Sequence, residues 1–351
     1  MIKVAALTGG RDKPSSRYRV RQHIEPLAAL GVEVREMMPV LDKHWDLMSV
    51  EWQQRSPTLR KPVKVAQHFI KAAIRAPGFV ESWRSDITWL QRELLPGIPS
   101  WEPVLKAPRV FDVDDAIWHA PPAGAYTSKK VAAWSDATIV GNDFLANWYE
   151  PFAKRIEIIP TAVDTVKWCP DPSQKTGKFT LGWIGTRPSL RYINHIEPAL
   201  KVVMDRYPDV ELVVVCDRPL EVELLPPERV RFVPWSRESE LPSVQAMDVG
   251  IMPLIDEPWV YGKCSFKMLQ YMACGLPVVV TPLAMNGTVL EHDDVGYGPS
   301  TFDEWVDALS ALYEDRAEAV AQGLRGRAVV EARYGRDVVA KQIADLFKDL
   351  G

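Results

Sequence analysis

Two lysines and a glutamine lie at helical spacing within the segment 262–281, GKCSFKMLQYMACGLPVVVT. Lys263, Lys267 and Gln270 are three or four residues apart, so we expect them to share one face of a short helix. Ser265 precedes the apolar helical pattern, and its side chain is expected to cap the first amide groups. A helix N-terminus flanked by glycine and lysine attracts anions, because amide groups and the helix dipole both favour negative charge. The segment therefore predicts a site for a phosphate-bearing ligand.

The rest of the chain alternates apolar strands with helices, which predicts an α/β fold of two doubly wound Rossmann-like domains. The first domain is expected over 1–165 and the second over 179–351, with a polar, Pro-rich linker at 166–178. We expect the last helix to pack on the first domain. Strands are predicted at 2–7, 32–38, 109–113, 137–140 and 156–159 in the first domain, and at 179–184, 210–215, 230–233, 249–252 and 277–281 in the second. Clear helices are predicted at 193–207 and 238–247.

Composition excludes several functional classes. The chain has 351 residues, which is too many for one ordinary core, and a net charge of −4, which argues against general nucleic-acid binding. Its four cysteines show no CxxC pairing and its histidines are scattered, so no metal site or disulfide framework is predicted. The first residues predict a strand rather than a signal peptide, and no apolar run reaches membrane-spanning length. We therefore expect a cytoplasmic protein.

The segment 55–84 differs from its surroundings, because it holds seven basic residues and one acid, Glu81, with apolar residues between them. Two interpretations stay open. A basic amphipathic helix here would make peripheral contact with anionic lipid on the inner membrane face. Alternatively, the helix packs on the sheet and leaves a solvated basic face. The basic residues are Arg55, Arg60, Lys61, Lys64, Lys71, Arg75 and Arg84.

Several short motifs occur in an order that resembles GT-B glycosyltransferases, in particular the retaining family 4 enzymes of glycosyltransferase group 1. They are the Gly9-Gly10 turn, PSSRYR at 14–19, VFDVDDA at 110–116, IPTAVD at 159–164, GWIGT at 182–186, VPW at 233–235, DVGIMPL at 248–254 and the segment 262–281.

The resemblance implies a hexosyltransferase (EC 2.4) with a cleft between two Rossmann-like domains. Such an enzyme moves a sugar from a nucleotide-sugar donor to a glycan or lipid-linked acceptor, with retention at the anomeric carbon. The donor would bind the second domain and the acceptor the first, in polysaccharide or cell-envelope synthesis. No metal or other cofactor is expected, because preorganised positive charge stabilises the leaving diphosphate.

The resemblance also implies roles for particular residues around the donor. Lys263 and Lys267 would bind the diphosphate, with surface lysines as the alternative interpretation. Arg187 and Arg191 follow the strand 179–184, where similar enzymes place phosphate-binding cations, although they fit equally well as surface arginines of the next helix.

One departure concerns the two glutamates, seven residues apart, that typical members carry around this helix. The ribose-binding glutamate corresponds to Gln270, which can still hydrogen-bond a diol through its amide. The other corresponds to Gly262, which has no side chain. Glu257 or Asp256 would then replace the sugar contact, so Glu257, Gly262 and Ser265 are the candidate donor-sugar or loop residues.

The candidate residues of the first domain lie after its strands. Asp114 and Asp115 are the candidate catalytic residues, able to hydrogen-bond sugar hydroxyls, and a turn with an Asx cap is the alternative interpretation. Ser16, Arg17 and Arg19 follow the glycine turn and are candidates for binding the acceptor or a phosphate. Ion pairing at the start of the first helix is the alternative for the arginines.

Two other functions remain compatible with the sequence. A nucleotide-sugar 2-epimerase on the same fold would bind the same diphosphate but would need acid–base residues at the sugar. A non-catalytic nucleotide-sugar-binding protein would explain the missing glutamate pair. Transfer, isomerisation or binding alone distinguishes the three.

Overall fold

The computed structural model describes residues 1–40 and 57–351. They form two compact units, the first of residues 1–161 and 336–351 and the second of residues 162–335. The sequence predicted a domain boundary at 165 and a last helix that belongs with the first domain. None of the described helices is long and apolar enough to cross a membrane.

The first unit contains a six-stranded parallel sheet of order β2-β1-β3-β4-β5-β6. Its central strands are buried on both faces, as continuous apolar runs in parallel sheets require. The strands are β1 Ile2–Leu7, β2 Val32–Met37, β3 Ile87–Gln91, β4 Arg109–Val113, β5 Ala137–Val140 and β6 Ile156–Ile158. Strand β3 was not predicted, because its sequence ITWLQ has no continuous apolar run.

The helices of the first unit connect these strands. A π-helical turn, Ser16–Val20, follows β1 and leads into the first α-helix. The α-helices are α1 Ile24–Ala29, α2 Pro57–Ile74, α3 Ala76–Arg84, α4 Gly124–Trp134, α5 Asp143–Tyr149 and the last helix, α12 Arg336–Leu350. Helix α12 is anchored by Phe347, whose ring meets the buried ring of Trp89 edge-on at 5.3 Å between centroids.

The predicted basic segment forms the helices α2 and α3 with Arg75 between them, and Arg55 lies outside the described residues. Arg75, between α2 and α3, does not belong to a basic surface. Its side chain is buried and donates hydrogen bonds to the carbonyl oxygens of Thr8 at 2.6 Å and Leu94 at 3.2 Å. The prediction was wrong for this residue, because a buried guanidinium that binds main-chain carbonyls is part of the packing against β1.

The second unit contains another six-stranded parallel sheet, of order β12-β11-β10-β7-β8-β9. Its predicted strands are confirmed with boundaries shifted by no more than one residue, and a short sixth strand was not predicted. The strands are β7 Phe179–Ile184, β8 Val210–Cys216, β9 Val230–Pro234, β10 Val249–Met252, β11 Val278–Val280 and β12 Gly296–Tyr297. The close approach of helix and sheet requires glycine at position 250, because a Cβ there would lie 2.2 Å from the ring of Tyr271.

Helices pack on this sheet and begin at defined residues. Ser236 and Thr301 each accept a hydrogen bond from the amide three residues later, which closes a capping box at the start of the helices Arg237–Gln245 and Phe302–Glu314. The helices of the second unit are α6 Leu190–Arg206, α7 Arg237–Gln245, α8 Phe266–Ala273, α9 Met285–Leu290, α10 Phe302–Glu314 and α11 Arg316–Val329.

Candidate functional site

The strand order of the second unit identifies a crevice at the carboxyl ends of β7 and β10. From β7 the chain proceeds outward to β8 and β9, and then returns to place β10 on the other side of β7. Connections therefore leave these two neighbouring strands in opposite directions, which opens a crevice where ligands of doubly wound sheets bind. Gly185 follows β7 at this point, and the connection after β10 leads to α8.

Lys267, in the first turn of α8, reaches this crevice. Its Nζ lies 4.7 Å from the centre of the Trp183 ring, and a Cβ built on Gly185 would lie 3.0 Å from the same Nζ. The pKa of Lys267 is lowered to about 7, mainly by burial and also by the neighbouring charge of Lys263. The site therefore holds a cation whose charge is poorly solvated, a property that favours binding of an anion.

Ser265 does not cap α8 as predicted. Its backbone is left-handed, with φ 51°, and its side chain makes no hydrogen bond to the helix amides. The hydroxyl instead donates to Oδ1 of Asn286 at 2.6 Å, and both residues are buried. The prediction failed because the backbone conformation at this residue directs the side chain away from the helix axis. The serine consequently fixes the loop before α8, and its side chain does not cover the first turn of that helix.

Two other predicted site residues are brought together across the crevice. Arg191, at the start of α6, donates from Nη1 to Oε1 of Glu257 at 2.7 Å, and Glu257 lies in the connection after β10. The ion pair raises the pKa of Arg191. Arg187 is exposed in the loop between β7 and α6, and its backbone amide donates to Oδ1 of Asp217 at 2.8 Å. Arg191 and Glu257 therefore partner each other here, so a ligand that binds either must compete with the other.

Gln270 is buried in α8, one turn after Lys267. Its Nε2 donates to Oε1 of Glu240, on α7, at 3.4 Å. Gly262 is also buried, in the loop before α8. Sequence reasoning missed Glu240, because its partner lies 30 positions away and no local pattern marks the contact.

In the first unit, the predicted aspartates follow β4 and are held by an arginine that sequence reasoning missed. Arg92, directly after β3, donates from Nε to Oδ1 of Asp114 at 2.7 Å, and its Nη2 lies 3.5 Å from Oδ2 of Asp115. The charge of Arg92, together with hydrogen bonds from Arg92 and Ser15, holds the pKa of Asp114 below its ordinary value despite burial. Asp114 is therefore an ionised hydrogen-bond acceptor of fixed position. It is poorly suited to donate a proton at neutral pH.

The residues after the glycine turn divide into interior and peripheral groups. Arg19 is buried, and donates from Nε to Oδ1 of Asp112 at 2.9 Å and from Nη1 to the carbonyl oxygen of Ile159 at 2.8 Å. The hydroxyl of Ser16 accepts a hydrogen bond from the amide of Gly9 at 3.1 Å. Arg17 stacks over the ring of Tyr18 at 4.8 Å. Arg19 therefore forms an ion pair with Asp112, as the alternative interpretation of the arginines predicted.

The fold of this chain is shared with solved structures of other proteins. The chain is similar over its whole length to HepE of Anabaena, solved with UDP-glucose, at 16% identity and a TM-score of 0.70 with all of both chains covered. It is also similar to sucrose-phosphate synthase of Thermosynechococcus elongatus, at 15% identity and a TM-score of 0.66 with 99% of both chains covered. With two six-stranded parallel sheets in separate units, the chain has the GT-B fold that the sequence predicted.

The family comparison concerns the second unit. Residues 179–315 match the model of Glycosyl transferases group 1, which confirms the resemblance predicted from the motifs. A related protein is the GDP-mannose-dependent alpha-(1-6)-phosphatidylinositol monomannoside mannosyltransferase of Mycobacterium tuberculosis, 27% identical over 56% of each chain. Another is the D-inositol 3-phosphate glycosyltransferase of Pseudarthrobacter chlorophenolicus, 27% identical over 51% of this chain and 47% of the relative. The matches thus span about half the length of these relatives.

Proposed function

We propose that this protein is a retaining glycosyltransferase of the hexosyltransferase type, which moves a sugar from a nucleotide-sugar to a glycan or lipid-linked acceptor. The proposal depends on the position of Lys267. This residue lies at the start of α8, over the ring of Trp183, in the crevice between β7 and β10. In sugar transfer the negative charge grows on the departing diphosphate. A desolvated cation and a helix N-terminus aimed at that position lower the barrier, since both are in place before the reaction begins.

The acceptor side of the proposal rests on Asp114 and Asp115. Their carboxylates are fixed by Arg92, so they orient hydroxyl groups through accepted hydrogen bonds. Because the pKa of Asp114 is held low, we assign the acceptor proton to the departing phosphate oxygen rather than to this aspartate. In that front-face reaction, the new bond forms on the side from which the diphosphate leaves, which retains the anomeric configuration.

The related proteins narrow the candidate substrates. One relative is named for GDP-mannose and for a phosphatidylinositol mannoside acceptor, and another is named for D-inositol 3-phosphate. We therefore place GDP-mannose and an inositol-containing acceptor first among the substrates to be tested, within cell-envelope glycan synthesis. We further propose that the protein acts in the cytoplasm without a metal ion.

The first experiment is calorimetric titration of the protein with UDP-, GDP- and dTDP-sugars, with and without EDTA. We expect one nucleotide class to bind and EDTA to leave its affinity unchanged. Failure of every donor to bind would overturn the proposed donor site, and loss of binding in EDTA would overturn the absence of a metal.

The product then distinguishes the three activities left open by the sequence. The bound nucleotide-sugar is incubated with and without acceptor, and the anomeric protons of the products are followed by NMR. We expect a glycoside with the anomeric configuration of the donor. Inversion would refute retention, a change at C2 without acceptor would indicate an epimerase, and an unchanged donor with every acceptor would indicate a binding protein.

We also propose peripheral membrane contact through α2 and α3. Phe69 and Ile70 of α2 and Val80 and Trp83 of α3 are exposed apolar residues, with exposed fractions of 73, 38, 46 and 58%. The basic residue Arg84 is also exposed. Exposed aromatic and aliphatic side chains beside basic residues suit the interface of an anionic bilayer.

Sedimentation with vesicles tests this contact. We expect the protein to sediment with anionic vesicles at low salt and less at high salt, because salt screens the electrostatic part. Phe69→Ser with Trp83→Ser should reduce binding, whereas Val320→Ser with Leu324→Ser, which alters exposed apolar residues of α11, should not. Equal binding by both variants, or no binding at low salt, would refute the contact.

A further inference from the structure

Two cysteines that are far apart in the sequence lie beside each other in the second unit. Cys169 belongs to the segment 166–178 that precedes β7, and Cys274 directly follows α8. Nη1 of Arg327, on α11, donates hydrogen bonds to the carbonyl oxygens of Trp168, at 3.1 Å, and of Ala273. One guanidinium nitrogen therefore joins the two residues that come immediately before the cysteines.

The residues that come immediately after the two cysteines also approach each other. A Cβ built on Gly275 would lie 3.0 Å from Cγ of Pro170. The main chain at Cys169 is fixed as well, because its carbonyl oxygen accepts a hydrogen bond from Nε2 of Gln245 at 2.7 Å. Since the two chain segments meet both before and after the cysteines, Cys169 and Cys274 occupy facing positions on adjacent segments.

The two side chains interact but differ in their access to solvent. Both are free thiols, and Cys169 is half-buried whereas Cys274 is only 3% exposed. The pKa of Cys274 is raised to about 12, mainly by burial and also by the nearby thiol of Cys169. Such an influence of one ionisable group on another acts at short range, so the two side chains lie near each other. A reagent in solution can therefore reach Cys169 first, with Cys274 behind it.

We propose that Cys169 and Cys274 form a reversible disulfide bond that fastens the end of α8 to the segment 166–178. The oxidant is a small disulfide such as glutathione disulfide. The thiolate of Cys169 attacks one sulfur of the oxidant and releases one glutathione, which leaves a mixed disulfide. The sulfur of Cys274 then attacks the Cys169 sulfur and releases the second glutathione. Two electrons pass from the cysteine pair to the oxidant, and the two thiol protons end on the two glutathiones.

The bond stabilises the unit that contains the candidate donor site. The chain between the two cysteines includes the strands from β7 to β10 and the whole of α8, which carries Lys267 in its first turn. A cross-link that closes a long loop restricts the unfolded chain more than the folded one. Oxidation should therefore raise the stability of the second unit and hold the end of α8 in place.

Mass spectrometry after incubation of the protein with glutathione disulfide tests the pair. Trypsin separates the two cysteines, because the peptides 168–175 and 268–316 each lie between cleavage sites and each contain one cysteine. After the remaining thiols are blocked with iodoacetamide, we expect these two peptides to be joined, and dithiothreitol should separate them. The midpoint of thermal unfolding should rise by roughly 5–10 °C on oxidation and return on reduction.

Serine variants test the order of the two steps. Cys274→Ser should stop at the mixed disulfide, seen as one glutathione added to Cys169. Cys169→Ser should leave position 274 unmodified in the folded protein, because Cys274 is buried. Cys216→Ser, which removes another buried cysteine, is the matched control and should form the cross-link as the wild type does.

The results that would overturn the proposal do not depend on whether the protein transfers a sugar. Glutathione retained on Cys169 of the wild type, with Cys274 still reduced, would show that the two sulfur atoms do not meet in the folded protein. Joined peptides that form only after unfolding in urea would refute the pair in the same way. A cross-link that leaves the thermal unfolding of the wild type unchanged would refute the stabilising role of the bond.

Discussion

Binding of the donor should be coupled to uptake of a proton by Lys267. The pKa of Lys267 is lowered to about 7, so the side chain loses its charge over the physiological range in the ligand-free protein. A diphosphate binds the charged form preferentially, because it adds the negative charge that the surroundings of Lys267 lack. Binding therefore raises the pKa of the lysine, and protons are taken up wherever the unliganded lysine is neutral.

The size of the effect follows from this pKa. With a value of about 7, only about one-tenth of the unliganded protein carries the charge at pH 8, so binding should take up about nine-tenths of a proton. At pH 6 about nine-tenths already carries it, and uptake should be small. Affinity should accordingly fall by roughly tenfold for each pH unit above 7 until the pKa of the complex is reached.

Calorimetry in buffers of different ionisation enthalpy measures this uptake directly. A nucleotide-sugar is the suitable ligand, since its diphosphate diester does not titrate between pH 6 and 8. Lys267→Met should abolish uptake and weaken binding at pH 6 by about 2 kcal/mol, roughly thirtyfold, with a much smaller effect at pH 8.5. Lys201→Met, which removes an exposed lysine paired with Asp205 on α6, should behave like the wild type. Full donor affinity without proton uptake at pH 8 would refute the reasoning.

The same pKa predicts the sign of a stability effect. The folded protein lowers the pKa of Lys267 from its ordinary 10.5, so folding disfavours the charged form. This penalty is fully present below about pH 7 and declines as the pH rises toward 10.5. Lys267→Met should therefore melt at a higher temperature than the wild type at pH 6, with a smaller difference at pH 9. A variant that loses donor binding while gaining stability would identify a residue retained for function.

Three further substitutions test other parts of the structure. Glu257→Gln releases Arg191 from its carboxylate partner, so affinity for the free nucleoside diphosphate should rise if Arg191 binds phosphate. Affinity for the intact nucleotide-sugar should fall if Glu257 binds the sugar. Titration of the variant with both ligands distinguishes these roles. Gly185→Ala places a Cβ 2.3 Å from the ring of Trp183, so it should lower the free energy of unfolding by about 1–3 kcal/mol and displace Lys267. We expect loss of donor binding and altered tryptophan fluorescence. An unchanged donor affinity would show that the ligand lies elsewhere. Arg19→Met leaves the carboxylate of Asp112 buried without its guanidinium and should cost about 3–5 kcal/mol in urea unfolding. The pKa of Asp112 is raised to about 6, because burial outweighs the opposing effect of Arg19. The loss of stability should therefore be larger at pH 8, where the carboxylate is ionised, than at pH 5, and an equal loss at both values would contradict this.

The sheets were predictable because their strands are continuous apolar runs. Residues 278–280 are three valines, and the strand 210–216 is buried at every position, so local composition suffices for such elements. Strand β3 was not predicted, because its five residues include a threonine and a glutamine. Both glutamine and threonine are buried there by neighbours that only the assembled sheet provides.

The candidate site was less predictable, since its contacts join residues that are distant in the sequence. The spacing of Lys263, Lys267 and Gln270 placed a polar face on one helix, but nothing local revealed Glu240, whose contact depends on how α7 and α8 pack. The contact of Arg92 with Asp114 was not predicted for the same reason, because it depends on the pairing of β3 with β4. At Ser265 a left-handed backbone overrode the usual capping preference.

The last helix gives the chain the topology of an inserted domain. The amide of Val163 donates to the carbonyl oxygen of Tyr334 at 2.8 Å, so the second unit begins and ends at neighbouring points. During synthesis the six strands of the first unit emerge early, yet Trp89 meets Phe347 only after the whole insertion has been made. The inserted unit can thus complete its core before its host does. We expect residues 162–335 to be the more autonomous part of the chain, and a host lacking α12 to expose apolar surface that a chaperone would recognise.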